Sequence, residues 1–394
     1  MQIKDNNEFK GEPMQRVLFV TNLASKIGSF SISSIEAANN NQLGFYMAAN
    51  WQSTSDDRLR EYENKHNIKI FHFDLARSPF SPKNITAYKQ LCRIIRENEI
   101  DYIHCNTPVG GLLGRLAGKK CKVKRVIYQV HGFHFYKGAP KLNWMLYYPI
   151  EKWLARYTDA LVTINTEDYE FAKRKMKFRH GGNIYYVPGV GIDSKSFLAR
   201  DESIKATKRK ELGIPEEAML LISAGELNQN KNNAAIINAM ALCENKNIHY
   251  ILCGVGPLEQ DLKTLAKEKG VSDRVQFLGY RSDMKELLAA ADVFVMPSFR
   301  EGLSRSIMEA MSSGLPCVVS KIRGNVDLVE ENVGGYLCAP SDVCGFADAL
   351  DKLASDDALR QSMSRANLER IKNFDVSVVI EKMTQIYKDE FKGN

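Results

Sequence analysis

The 394-residue chain has no apolar run approaching the roughly 18 residues of a membrane-spanning helix, which argues against an integral membrane protein. Its eight cysteines show no Cys-x-x-Cys spacing. Neither an HExxH motif nor an Asp-x-Asp triplet occurs. Zinc sites and acidic metal clamps therefore find no support, and no metal or other cofactor is expected. Several cysteines fall within apolar strand-like runs, the pattern of reduced core residues in a cytoplasmic protein. The opening MQIKDNNEFKGEP is polar and lacks the apolar stretch of a secretory signal. Residues 1–13 thus read as a disordered lead-in, with Met14 starting the fold. No basic motif with interleaved aromatics is found, which counts against nucleic acid as a partner. Internal repeats and low-complexity tracts are also missing.

What is present suffices for packed cores: 44% of residues are hydrophobic, and the length suits two domains of ordinary size. Apolar strand-like runs at 16–22, 44–49, 68–73, 102–106, 125–132, 160–165 and 183–188 alternate with amphipathic stretches such as 83–98 and 142–157. The pattern restarts with 219–226, 248–254, 275–280, 293–298 and 316–321. Continuous apolar strands separated by helices specify parallel sheets covered on both faces. The expected class is α/β with two Rossmann-like domains. Gly189-Val190-Gly191-Ile192-Asp193 is the natural linker, giving domains at 14–190 and 191–375 and a final helix in 376–394.

Charge is unevenly spread. The net charge is +7, yet residues 1–190 hold 28 Lys and Arg against 17 Asp and Glu. Two clusters stand out, one at Arg115, Lys119, Lys120, Lys122, Lys124 and Arg125, the other at Lys173, Arg174, Lys175, Lys177 and Arg179. They read either as solvated surface or as a positive face drawn to an anionic membrane.

The most informative stretch is Arg300-Glu301-Gly302-Leu303-Ser304-Arg305-Ser306-Ile307-Met308-Glu309. A buried strand ends just before it, and the spacing predicts a helix over 303–311. Glu301 then sits in the turn and Glu309 on the helix, about 12 Å apart if all eight residues are helical. Free N–H groups of Gly302, Leu303 and Ser304 at the helix start could hold a diphosphate. Arg305 could instead simply pair with either glutamate at i,i+4 spacing. The Glu-x7-Glu pattern, with Gly-Leu-Ser after the first Glu and EAMSSGLPCVVS at 309–320, resembles the donor site of retaining glycosyltransferases of the GT-B fold, family 4 in particular.

That resemblance implies two Rossmann-like domains facing across a cleft, with a C-terminal helix crossing back to the first. The first domain would bind the acceptor and the second a nucleotide sugar. Glu301 would bond donor-sugar hydroxyls, Glu309 the ribose, and the 302–305 turn the diphosphate. Gly225 and Lys231 occupy positions of the family's G-R-L-x-x-x-K-G segment, but Glu226 stands where the family has Arg, and Arg305 is the cation chosen to compensate. Gly254 and Gly256, opening a helix after an apolar strand, match the nucleotide-binding turn, and Arg281 lies where the nucleobase is expected. In the first domain His131 matches the histidine that reaches the donor hexose, mostly neutral at pH 7. His104 and Asn106 end another strand and are candidates for the acceptor. Where many relatives have a Gly-Gly pair for the diphosphate, this chain has Gly28 alone, with Lys26 or Ser29 as substitutes.

Together with HGFHFYKG at 131–138, these motifs are similar to bacterial enzymes that build capsular or exopolysaccharide units on lipid carriers. The resemblance implies a metal-independent, retaining hexosyltransferase using a UDP-linked hexose or N-acetylhexosamine. Its acceptor would be a glycan, free or polyprenyl-diphosphate-linked, met at the cytoplasmic face of a membrane. Two rivals stay open, a UDP-N-acetylhexosamine 2-epimerase and a non-catalytic nucleotide-sugar-binding partner. Finally, Leu142, Met145, Leu146, Ile150, Trp153, Leu154 and Tyr157 form one helical stripe, with Pro149 placed to kink it. The stripe either packs on the first sheet or, with Phe133, Phe135, Tyr136 and Trp144, leaves an apolar edge for an anionic membrane.

Overall fold

The structure, a computed structural model, describes residues 15–51, 54–197 and 202–392, so the expected lead-in at 1–13 and Met14 lie outside the described residues. The chain divides into two compact units, one ending at Val190 and resuming at Ser377, the other spanning Gly191–Val376. The first unit holds β1 (Arg16–Leu23), β2 (Gly44–Asn50), β3 (Lys69–His72), β4 (Tyr102–Asn106), β5 (Arg125–Val130), β6 (Ala160–Thr163) and β7 (Asn183–Tyr186). They form one parallel sheet in the order β3-β2-β1-β4-β5-β6-β7.

Both faces of this sheet are covered, which is why its strands read as unbroken apolar runs. In β1, Leu18 and Val20 pack with Tyr46, Leu91 and Tyr128 on one face. Val17 and Phe19 pack on the other with Phe45, Trp51 and the C-terminal residues Val379, Met383, Ile386 and Tyr387. The Val376–Tyr387 helix thus packs on the first unit although the other unit intervenes in the chain. Polar contacts fix its end: Tyr102 Oη donates to the Phe391 carbonyl at 2.6 Å and the two rings stack at 4.3 Å. Buried Glu390 accepts from Asn183 Nδ2 at 2.7 Å and Tyr185 Oη at 2.8 Å.

The second unit holds β8 (Met219–Ala224), β9 (Ile248–Cys253), β10 (Val275–Gly279), β11 (Val293–Met296), β12 (Cys317–Ser320) and β13 (Gly335–Cys338). All are parallel, in the order β10-β9-β8-β11-β12-β13. The strand β13 was not among the sequence expectations. Pairing with β12 is what defines it. The strand order reverses between β1 and β4 in one unit and between β8 and β11 in the other. Ligands of such sheets bind at the C-terminal strand ends beside that reversal. Among the described residues no helix is long and apolar enough to cross a membrane.

Candidate functional site

At the reversal point of the second unit, the loops after β8 and β11 are stitched together by asparagines. Asn230 Nδ2 donates to the Arg300 carbonyl at 3.0 Å, and Asn230's own carbonyl accepts from Phe299 N at 2.8 Å. Asn232, at a φ of +52°, donates to the Pro297 and Pro340 carbonyls at 3.0 and 2.8 Å. Between them lies the short turn Gln229–Lys231, capped by Asn228, whose Oδ1 accepts from Lys231 N. The frame brings Lys231 Nζ to 2.7 Å from Glu301 Oε1, with the two side chains only 21% and 14% exposed. A charge-assisted contact this sheltered is stronger than a surface ion pair.

Three glycines let the loops close. Gly225 has a φ of +155°, and a Cβ there would stand 3.1 Å from Lys231 Cε, so the lysine stem runs directly over it. A Cβ on Gly254, at a φ of +152°, would stand 1.9 Å from the Gly225 carbonyl oxygen. One on Gly256 would meet the Leu227 carbonyl at 2.4 Å. The loop after β12 presses in from the opposite side: Gly324, at +80°, has no room for a Cβ beside the Gly302 carbonyl, and buried Arg323 donates from Nε to the Glu301 carbonyl at 3.4 Å. Arg323 was missed in the sequence. Its signal was weak, a lone Arg-Gly after an apolar strand.

Several expectations need correcting. The helix is Arg305–Ser312, not 303–311, because Ser304 acts as its N-cap and accepts from Ile307 N at 3.4 Å. Gly302, Leu303 and Ser304 therefore precede the helix, and only the second half of the Glu301–Glu309 span is helical. Arg305 Nε bonds Glu309 Oε1 at 2.9 Å, one turn along the helix, so the i,i+4 pairing is realised. Glu226 is exposed and accepts from Asn228 Nδ2. Arg281 is held by Asp283 at 2.8 and 2.6 Å and by Glu211, which keeps the Asp283 carboxyl well below the usual carboxylate range. Its guanidinium is thus engaged in an ion-pair network.

In the first unit, His131 follows β5 and its Nε2 lies 3.1 Å from Asn106 Oδ1 at the end of β4. Surrounding protein lowers His131 to about 4, so the ring is neutral at pH 7. The segment after it is anchored by buried Asp168, which accepts from Phe133 N at 3.1 Å. Asn106 is fully buried and supports His131 instead of reaching outward. His104 is also fully buried, against the expectation of an acceptor contact: the C-terminal helix covers it, with Tyr387 Oη 2.8 Å from Nδ1 and Phe19 edge-on at 5.1 Å. Burial lowers it to about 3. Gly28 caps the Ser29–Asn40 helix and has open space where a Cβ would stand. The side chain of Ser29 lies outside the described residues. A cavity of about 360 Å³, unforeseen from sequence, opens at the ends of β1 and β2 between Leu23, Asn50, Asp74, Arg77, Lys83 and Thr86.

Comparisons with known proteins agree with this architecture. Residues 204–370 match the family described as glycosyl transferases group 1, and residues 52–165 match glycosyl transferase 4-like proteins. EpsD of Bacillus subtilis (strain 168), named as a glycosyltransferase, is 36% identical over 352 residues, covering 88% of this chain and 90% of that protein. The UDP-Gal:alpha-D-GlcNAc-diphosphoundecaprenol alpha-1,3-galactosyltransferase of Escherichia coli is 28% identical over 336 residues, covering 84% of this chain and 86% of its own. Among solved structures, HepE of Anabaena in complex with UDP and glucose superposes with a TM-score of 0.75 at 21% identity, over 95% of this chain and all of its own.

Proposed function

The chain belongs to the GT-B glycosyltransferases of family 4, and from that premise we propose that it transfers a hexose or N-acetylhexosamine, with retention, from a UDP-sugar to a polyprenyl-diphosphate-linked glycan in surface polysaccharide synthesis. The observation carrying this reading is the Lys231–Glu301 pair, held at the strand-order reversal beside the start of the Arg305–Ser312 helix. It supplies a cation for a leaving diphosphate and a carboxylate for sugar hydroxyls within one contact distance.

In the mechanism we infer, donor diphosphate displaces Glu301 from Lys231, and the freed carboxylate turns to the sugar. Arg323 takes the part of the cation missing at Glu226. These charges and the helix N-terminus neutralise the leaving group in the place of a metal ion, a preorganised arrangement that is usually the largest catalytic contribution. Glu309 bonds the ribose hydroxyls. His131, neutral and bonded to Asn106, is the hydrogen-bond partner assigned to a sugar hydroxyl. No carboxylate is assigned as a covalent nucleophile, so the acceptor hydroxyl attacks C1 on the face the diphosphate leaves, the new C1–O bond forming as the bond to the diphosphate breaks and the hydroxyl proton passing to the departing phosphate. The glycan end of the acceptor takes the cavity at Asp74, Arg77 and Lys83. Work at the cytoplasmic face of a membrane follows from a lipid-linked acceptor.

The test is UDP release and product mass across a panel of UDP-sugars, each with an N-acetylglucosaminyl-diphosphoprenol acceptor. A product heavier by one hexose or N-acetylhexosamine, with the anomeric configuration of the donor, is expected. Isomerised donor without UDP release would instead identify an epimerase. UDP-sugar binding with neither outcome would mark a non-catalytic partner.

A further inference from the structure

We propose that Met296 is a positioning residue for the donor diphosphate, its thioether sulfur holding Lys231 and a serine hydroxyl beside the Glu301 turn. Met296 is the last residue of β11 and is 3% exposed. It belongs to the apolar core of the second unit, together with Ile222, Ile307 and Leu328. A methionine in such a place ordinarily fills space. Around this sulfur, however, three polar donors converge. Ser304 Oγ lies 3.5 Å from Sδ, Ser306 Oγ 3.6 Å and Lys231 Nζ 3.9 Å. They come from two separate loops. Lys231 belongs to the turn after β8, whereas the serines cap and begin the Arg305–Ser312 helix after β11.

The hydrogens can be accounted for one by one. Ser304 Oγ accepts from Ile307 N and lies 3.1 Å from Ser306 Oγ. Each hydroxyl carries a single hydrogen, so whichever serine donates to the other, the second hydrogen of the pair is left for the sulfur. Lys231 directs one N–H to Glu301 Oε1 at 2.7 Å and another to Sδ. Its stem is confined from below, because it runs over Gly225. A thioether sulfur is a weak acceptor, so it orients an ammonium and a hydroxyl without satisfying them as an oxygen would. Both stay able to bond phosphate oxygens. The proposal rests on the assignment of Lys231 to the leaving diphosphate and supplies what that assignment lacks. Once Glu301 turns to the sugar, the lysine needs another contact to hold it, and a buried core sulfur is one that no ligand displaces. Leucine would fill the same volume but offer no lone pair.

The experiment is calorimetry of UDP and of uridine with the full chain, in the wild type, Met296→Leu, Lys231→Ala and the double variant. Met296→Leu should weaken UDP about three- to tenfold, the scale of one hydrogen bond. Uridine, which has no phosphate, should bind it as it binds the wild type. Because the sulfur acts mainly through the lysine, most of that loss should disappear in the Lys231→Ala background. A space-filling role would give the same loss in both backgrounds and would not separate UDP from uridine. Ser306→Ala removes one of the sulfur's donors without touching the core strand, and it too should weaken UDP while sparing uridine. Wild-type UDP affinity in both Met296→Leu and Ser306→Ala overturns the proposal. So do equal losses for UDP and uridine, or a Met296→Leu loss undiminished by Lys231→Ala. These outcomes can fail while the wild type binds UDP and transfers sugar. Absence of UDP binding by the wild type would instead refute the donor assignment itself, and this role of Met296 with it.

Discussion

After β8 and β11 of the second unit stand a lysine and a glutamate in direct contact; after β4 and β5 of the first stand an asparagine and a neutral histidine. Both pairs sit near the C-terminal edge of a parallel sheet. They differ in what they can bind. A lysine paired with a carboxylate can exchange that partner for another anion, provided the displaced carboxylate finds hydrogen-bond donors of its own. The uncharged pair is suited to hydroxyl groups, which need hydrogen bonds but no counter-ion. The same strand-end position thus carries a charged pair in one unit and an uncharged pair in the other.

Removing the charge from the second unit should break the contrast most. Lys231→Ala is expected to lower kcat/KM on the order of 10²- to 10³-fold, the usual cost of losing one preorganised group facing developing charge. A loss below tenfold in a folded variant would take Lys231 out of the mechanism. Glu309→Gln should weaken UDP itself by on the order of 2 kcal/mol, read by calorimetry. Glu301→Ala should leave UDP affinity equal or tighter while turnover falls, because its carboxylate competes with diphosphate for Lys231. Equal losses of UDP affinity in the two glutamate variants would show that their roles are wrongly divided.

A smaller effect distinguishes the arginines. Arg323→Ala should weaken UDP about tenfold, the scale of one charge-assisted contact, and Arg305→Ala by clearly less. Restoring the family's residue with Glu226→Arg in the Arg323→Ala background should recover affinity. The reverse ranking would return the compensating role to Arg305.

The first unit should in turn be the more acid-sensitive. His104 and His131 are held at about 3 and about 4 by burial, below the ordinary histidine value. Below pH 6.5 the unfolded chain takes up protons that the folded unit refuses, so stability present above that pH is lost as pH falls toward these values. For His104, fully buried, the loss between pH 6.5 and 5.5 is on the order of 1 kcal/mol. The second unit has a single histidine, His249, lowered chiefly by partial burial. Hydrogen exchange at pH 7 and pH 5 should show first-unit peptides losing more protection, and His104→Gln should reduce the difference. Equal loss in both units would remove this contrast. The smallest effect is expected at Gly28→Ala, within about 0.5 kcal/mol of wild-type stability by thermal unfolding, since nothing crowds its Cβ position.

Twelve of the thirteen strands and the two parallel series were legible because a strand buried on both faces is written as a local apolar run. The Glu301 turn and the glycines after β8 and β9 were legible for a similar reason: strand, turn and helix are adjacent in sequence. Partners far apart in the chain were not. Lys231 and Glu301 are separated by 70 positions, His104 and Tyr387 by 283. No periodicity tells that a histidine within a strand will be covered by the last helix, or that Arg323 will donate to the Glu301 carbonyl. The Lys141–Leu154 helix is a second case: both of its faces are apolar, and hydrophobic period alone left open whether the Leu142–Trp153 stripe is buried or exposed. Local composition determined which segments become strands and helices and where chemistry can stand. Only the tertiary structure decided which side of each is buried, because that depends on the shape and charge of surfaces contributed from elsewhere: here a cluster of aromatic rings and one buried arginine at position 115.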